Sequence, residues 1–134
     1  MYLIDTNIMS ELLRPKPDRG VLRWAASQSQ FKLAAISVEE AIFGLTRKKN
    51  RELREGFERF VQNRCRVLAI TEEVARRAGA LRGEFEKRGL VRSQPDMLIA
   101  ATAQAHALTV VTRNVRDFAG CGIGILNPFG DVVP

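Results

Sequence analysis

Histidine occurs once and cysteine twice in this 134-residue chain. His106 alone cannot build an imidazole metal site. Cys65 and Cys121 stand far apart in no paired motif, which excludes a zinc framework or a disulfide scaffold; each is expected as a small buried hydrophobe. No window approaches the roughly eighteen apolar residues of a membrane-spanning helix. The opening Met1-Tyr2-Leu3-Ile4-Asp5 lacks a basic region followed by a long apolar stretch, so no secretory signal is expected and a cytoplasmic location is the default. Repeats, low-complexity tracts and linkers are also missing, and residues 1–134 are expected to form one domain.

What is present suits a globular protein with a charged partner. Apolar residues make up 46% of the chain, enough for one core. The net charge is +6, and a basic body suits contact with a polyanion.

The hydrophobic pattern alternates strands and helices. Tyr2-Leu3-Ile4 reads as a buried strand, followed by a short helix from Ile8 to Leu13 that Pro15 and Pro17 stop. Asp18 is placed to cap a helix carrying Val21, Leu22, Trp24 and Ala25 on its inner face. Phe31 to Ile36 reads as a strand; Ser37-Val38-Glu39-Glu40 opens a helix to about Arg47, and Arg51 to about Asn63 forms another. Val67 to Ile70 is a third strand. A long helix follows with Val74, Ala78, Leu81 and Phe85 on one face, ended at Gly89. Pro95-Asp96 starts a helix whose run Met97-Leu98-Ile99-Ala100-Ala101 is apolar nearly all round and therefore buried; His106 lies within it. Thr109 to Thr112 is a fourth strand, Gly122 to Leu126 a candidate fifth, and a proline-containing tail follows. Such alternation predicts an α/β fold: a mostly parallel sheet of four to five strands, sandwiched between helices.

Ligands in folds of this kind bind beyond the carboxyl ends of the strands. Asp5 ends the first strand, Glu40 and Asp96 lie in first helical turns, and Asn114 and Asp117 follow the fourth strand. Singly, each has a plain structural role: Asp5 as a helix cap, Ser37 with Glu40 as a capping box, Asp96 at a helix dipole. Together they would meet at one edge of a parallel sheet. Crowded carboxylates repel, and a divalent cation removes that conflict. Oxygen donors without cysteine or histidine suit Mg2+ or Mn2+, and such an ion catalyses phosphodiester hydrolysis.

These residues carry a family resemblance. Leu3-Ile4-Asp5-Thr6-Asn7 with Ser10-Glu11, Ala35-Ile36-Ser37-Val38-Glu39-Glu40 with Gly44, Asp96 through Ala103, and Thr112-Arg113-Asn114-Val115-Arg116-Asp117-Phe118 resemble, in order, the four motifs of PIN-domain proteins, specifically the VapC and Fit-type toxins; Asn127-Pro128-Phe129 is similar to the end of Fit-type chains. The resemblance implies a PIN-like fold, a Mg2+- or Mn2+-dependent endoribonuclease acting as the toxin of a bacterial type II toxin–antitoxin pair, and a homodimer that forms a heterotetramer or larger assembly with its antitoxin. It implies Asp5 and Asp96 as principal metal ligands and Glu40 as the acid that binds metal or orients water. Relatives carry the fourth acid at the place of either Asn114 or Asp117, so both positions stay open. Thr6, Asn7 and Thr112 are implied as groups that orient the ligands. The antitoxin's C-terminal arm would cover the acids with a basic side chain, with Ile8, Met9, Leu12 and Leu13 as candidates for its groove. Arg47, Lys48 and Lys49, with Arg113 or Arg116, are candidate guides for RNA phosphates.

Other readings meet obstacles. A haloacid-dehalogenase-like phosphatase needs a second aspartate where Asn7 stands, and a receiver domain needs adjacent acids and a late lysine, whereas the last lysine is Lys87. A decayed PIN-like binding module and a structure-specific DNA nuclease remain as alternatives.

Overall fold

Among the described residues, five short strands lie side by side in the order β3-β2-β1-β4-β5, every pair parallel. They are β1 (Tyr2–Ile4), β2 (Phe31–Ala34), β3 (Cys65–Leu68), β4 (Thr109–Val111) and β5 (Ile125–Leu126). Six helices connect them: α1 (Thr6–Leu12), α2 (Arg19–Ala26), α3 (Ala35–Lys48), α4 (Arg51–Arg64), α5 (Glu72–Lys87) and α6 (Gln94–His106), with a 3-10 turn at Val115–Phe118. The computed structural model describes residues 1–130; the last four residues of the expected tail lie outside the described part. Among the described residues no helix is long and apolar enough to cross a membrane.

Adjacent residues on a strand point to opposite faces, and the core divides accordingly. Leu3, Ala34, Leu68 and Val110 pack on the side of α5 and α6, with Phe85, Met97, Ile99 and Phe118. Ile4, Leu33 and Val111 pack on the other side, with Ile8 and Met9 of α1, Val21 of α2 and Phe57 of α4. Burying each such side chain contributes roughly 1.5–3 kcal/mol. The sandwich therefore agrees with the expectation, and the sheet is wholly parallel among the described strands.

Several boundaries differ from the sequence reading: α1 begins at Thr6, ahead of Ile8, and β5 keeps only Ile125–Leu126 of the expected Gly122 to Leu126. The second strand stops at Ala34, and α3 begins at Ala35 instead of Ser37. Ala34 occupies the cap position and offers no side-chain hydrogen bond, so the capping box of Ser37 and Glu40 does not form. Ser37 is wholly buried instead, and its Oγ has no hydrogen-bond partner among the described residues. β3 runs over Cys65–Leu68, ahead of the expected Val67 to Ile70. Its pairing with β2 places Leu33 opposite Val67 and Ala34 opposite Leu68, and that register leaves Ile70 beyond the sheet, 42% exposed.

The buried helix behaves as its composition demands. Ser93 caps α6 by accepting the N–H of Asp96 at 3.2 Å. Pro95 sits in the first turn, where its missing N–H costs nothing. Met97, Ile99, Ala100, Ala101 and Ala103 are buried. His106 is the last residue of α6 and is exposed, which places it outside the core and away from the acids.

Candidate active site

Asp5 leaves the carboxyl end of β1, the strand flanked on both sides by β2 and β4. Its own N–H extends the sheet to the carbonyl of Val111 at 2.9 Å, which holds it beside Thr112. The side chain is 5% exposed and fully engaged. Oδ1 accepts the N–H of Thr6 at 2.7 Å, the N-cap bond of α1. Oδ2 accepts the Thr112 hydroxyl at 2.7 Å and the Asn7 amide at 3.1 Å.

Those same donors tie in the rest of the site. The Thr6 hydroxyl donates to Glu40 Oε1 at 3.0 Å, so one residue holds two acids. Asn7 Oδ1 accepts the N–H of Arg113 at 3.2 Å. Thr112 Oγ1 accepts the N–H of Asn114 at 2.9 Å, which fixes the start of the segment after β4. Arg92 secures its far side: the guanidinium donates to the carbonyls of Asp117 at 2.6 Å and Ala119 at 2.9 Å and stacks 4.0 Å from the Phe85 ring centre.

Asp5, Glu40, Asp96 and Asn114 line one cleft of about 430 Å3, together with Thr6, Asn7, Ser10, Glu11, Arg14, Arg113 and Phe129. Asp117 does not line it, but its charge is felt at both Asp5 and Asp96. Arg113 reaches the cleft; Arg47, Lys48, Lys49 and Arg116 do not line it. The first three of these close α3 at the end opposite Glu40's turn, where Arg47 stacks on Phe43 at 5.0 Å. Ile8 and Met9 are core at 0% and 1% exposure and cannot offer a docking groove; Leu12 instead lines a surface groove with Leu22, Phe31, Phe60 and Arg64.

The electrostatics follow from crowding. Burial pushes the carboxyl of Asp5 up from its ordinary value, against the pull of hydrogen bonds from Thr112 and Thr6, and Asp117 pushes it further. Burial likewise raises Glu40, and the charges of Asp5 and Asp96 add to it. Asp96 is raised by burial and then by Asp5 and Asp117. The three carboxylates thus oppose one another's ionisation. No group of three or more cysteine, histidine or acidic side chains among the described residues stands ready to hold an ion as placed. The donor chemistry nevertheless fits a hard divalent cation: the cleft contributes carboxylate and amide oxygens, with neither sulfur nor imidazole.

Sequence reasoning missed Ser10, Glu11, Arg14 and Phe129 as parts of this cleft. Phe129 arrives through the chain's last described turn: Gly130 N–H donates to Asp18 Oδ1 at 3.1 Å, and a Cβ on Gly20 would overlap the carbonyl oxygens of Gly130 and Pro128. The glycine at position 20, which lets the tail approach α2, was the available signal. Arg113 then lies over the Phe129 ring at 4.6 Å.

Residues 2–120 match the PIN domain family. The chain is 34% identical to VapC ribonuclease Y4jK of Sinorhizobium fredii, over 96% of this chain and 98% of that protein. It is 35% identical to toxin FitB of Neisseria gonorrhoeae, over 98% and 100%. Its structure resembles that of FitAcB from Neisseria gonorrhoeae (TM-score 0.82, 32% identity, 96% and 98% of the two chains). It also resembles a toxin–antitoxin complex from Klebsiella pneumoniae (TM-score 0.72, 28% identity, 96% and 98%).

Proposed function

The chain belongs to the PIN-domain family, and from that premise we propose that it is a metal-dependent endoribonuclease, the toxin of a type II toxin–antitoxin pair. The observation that carries this reading is the gathering of Asp5, Glu40 and Asp96, remote in sequence, around one cleft.

Asp5, Asp96 and Glu40 are the residues that would hold Mg2+ or Mn2+, with the Asn114 side-chain oxygen at the same cleft and Asp117 adding charge behind it. When bound, such an ion supplies Lewis acidity toward a phosphodiester oxygen and acidifies water. Thr6, Asn7 and Thr112 hold Asp5 in one rotamer, so its orientation is set before any ligand arrives. Glu40, fixed at one oxygen by Thr6, keeps its other oxygen for the metal or for orienting the attacking water.

An antitoxin restrains the site in this reading. Its C-terminal arm crosses the cleft and sets a cationic side chain among the carboxylates, competing with the metal through charge-assisted hydrogen bonds. The groove at Leu12, Leu22, Phe31 and Phe60 receives the arm's apolar residues. The relatives named toxins and the toxin–antitoxin complex among the structural neighbours support this partner. A homodimer carrying two antitoxins is the expected assembly.

The test is cleavage of total RNA by the purified chain, with ends mapped by sequencing. New ends should appear with Mn2+ and vanish with EDTA or in Asp5→Asn. Isothermal titration should show Mn2+ binding that Asp5→Asn removes. Cleavage of DNA flaps with indifference to RNA would replace this reading by a DNA nuclease. Absence of both cleavage and metal binding would leave a binding module.

A further inference from the structure

The acid cleft also contains two guanidinium groups, Arg14 and Arg113, and the first is held by a buried partner. Arg14 Nη1 donates to both oxygens of Glu11, at 3.0 and 3.3 Å. Glu11 is 7% exposed and also accepts the N–H of Asp18 at 2.7 Å. Asp18 in turn accepts the N–H groups of Val21 at 3.1 Å and Gly130 at 3.1 Å. A continuous chain of bonds therefore runs from the docked tail through Asp18 and Glu11 to Arg14.

Structural need does not account for the whole side chain. Arg14 is 64% exposed, so its guanidinium adds little to the core. Both of its bonds to Glu11 leave from Nη1, and among the described residues Nη2 and Nε carry no hydrogen bond. A guanidinium pinned at one nitrogen, with its other donors free toward a cleft, is pre-organised for a tetrahedral oxyanion. An RNA strand that sets one phosphodiester among Asp5, Glu40 and Asp96 brings its neighbouring phosphates into the same cleft. There they meet an excess of negative charge unless a cation receives them.

We propose that Arg14 binds a phosphate of the RNA strand next to the one being cut, with Glu11 as the positioning residue that holds its guanidinium toward the cleft. This rests on the ribonuclease reading above.

The experiment measures binding of a short fluorescein-labelled oligouridylate to the full chain across a salt series, beside cleavage of total RNA with Mn2+. Arg14→Gln keeps an N–H donor for Glu11 while removing the charge. It should weaken binding about tenfold and lower the salt slope by about 0.7. Arg14→Lys should keep the slope. Glu11→Gln should weaken binding and leave the slope unchanged, because the Arg14 charge remains. If Arg14→Gln does not fold, the double variant Glu11→Gln with Arg14→Gln strands no charge and should show the same loss of slope. A wild-type chain that cuts RNA, with a slope and affinity indifferent to Arg14→Gln, sinks this inference alone. A wild-type chain that neither binds nor cuts sinks the ribonuclease reading, and this inference with it.

Discussion

Asp5 caps one short helix and Glu11 lies in that helix's last turn; both are almost wholly buried, at 5% and 7% exposure, yet their surroundings are opposite. Glu11 faces a guanidinium and a backbone N–H; its charge is neutralised within the fold. Asp5 is met by neutral donors, Thr6, Asn7 and Thr112, while the charged groups bearing on it are acids. A buried carboxylate that the protein neutralises serves structure. One that the protein orients but leaves without a counter-charge fits the proposed cation site.

Neutralising each carboxylate in turn is the strongest way to break that contrast. Asp5→Asn should lower RNA cleavage about a thousandfold, equivalent to about 4 kcal/mol in the barrier, while Glu11→Gln should cost only about tenfold; single-turnover rates on one mapped RNA decide it. Equal losses in two folded variants would erase the distinction. Stability should move the other way. Glu11→Ala leaves the Asp18 N–H without its acceptor and should cost about 2 kcal/mol in urea unfolding, whereas Asp96→Asn in EDTA should raise the thermal midpoint at neutral pH by removing one repelling charge.

The pH dependence sharpens the comparison further. Asp5, Glu40 and Asp96 all have folded values above the ordinary 3.8, 4.5 and 3.8. The folded protein therefore binds more protons than the unfolded chain between the ordinary and the raised values. Their stabilising contribution is complete below the ordinary values and is lost as pH rises through the raised ones. In EDTA, the thermal midpoint of the wild type should fall over that interval relative to Asp96→Asn, and Mn2+ should oppose the fall. A relative gain in the wild type would contradict the crowding argument. The smallest expected effect concerns the distal cluster: Lys48→Ala should change the salt slope by about 0.7 if the RNA path extends along α3, and an unchanged slope confines the path to the cleft.

The strands and the buried helix were legible because their signals are local. Leu3 and Ile4 fill both faces of the sheet, and Met97 through Ala101 leave no polar face for water. The start of α3 was not legible, since Ala34-Ala35-Ile36 suits a strand as well as a helix and Ser37 imitates a cap. Asp5, Glu40 and Asp96 stood out as acids expected at strand or helix ends; parallel pairing carries Asp5 and Asp96 to one rim from such ends, whereas Glu40 lies in the second turn of α3 instead of the first and is tied to Asp5 through Thr6. Glu11 stood out only as part of the first motif and Arg14 not at all, because their place in the cleft depends on Asp18 receiving the tail. Nor does local pattern separate Asn114 from Asp117. One lines the cleft and the other acts through its charge, a difference set by the 3-10 turn and by Arg92.

The central strand's two partners come from distant parts of the chain, β2 early and β4 late. Thr112, which holds Asp5, and Phe129, which lines the cleft, come later still. During synthesis, Asp5 and Glu40 emerge long before these companions, so a growing chain carries scattered acids before it carries the assembled cleft. The cleft that gathers them is therefore complete only when nearly the whole described chain has been made.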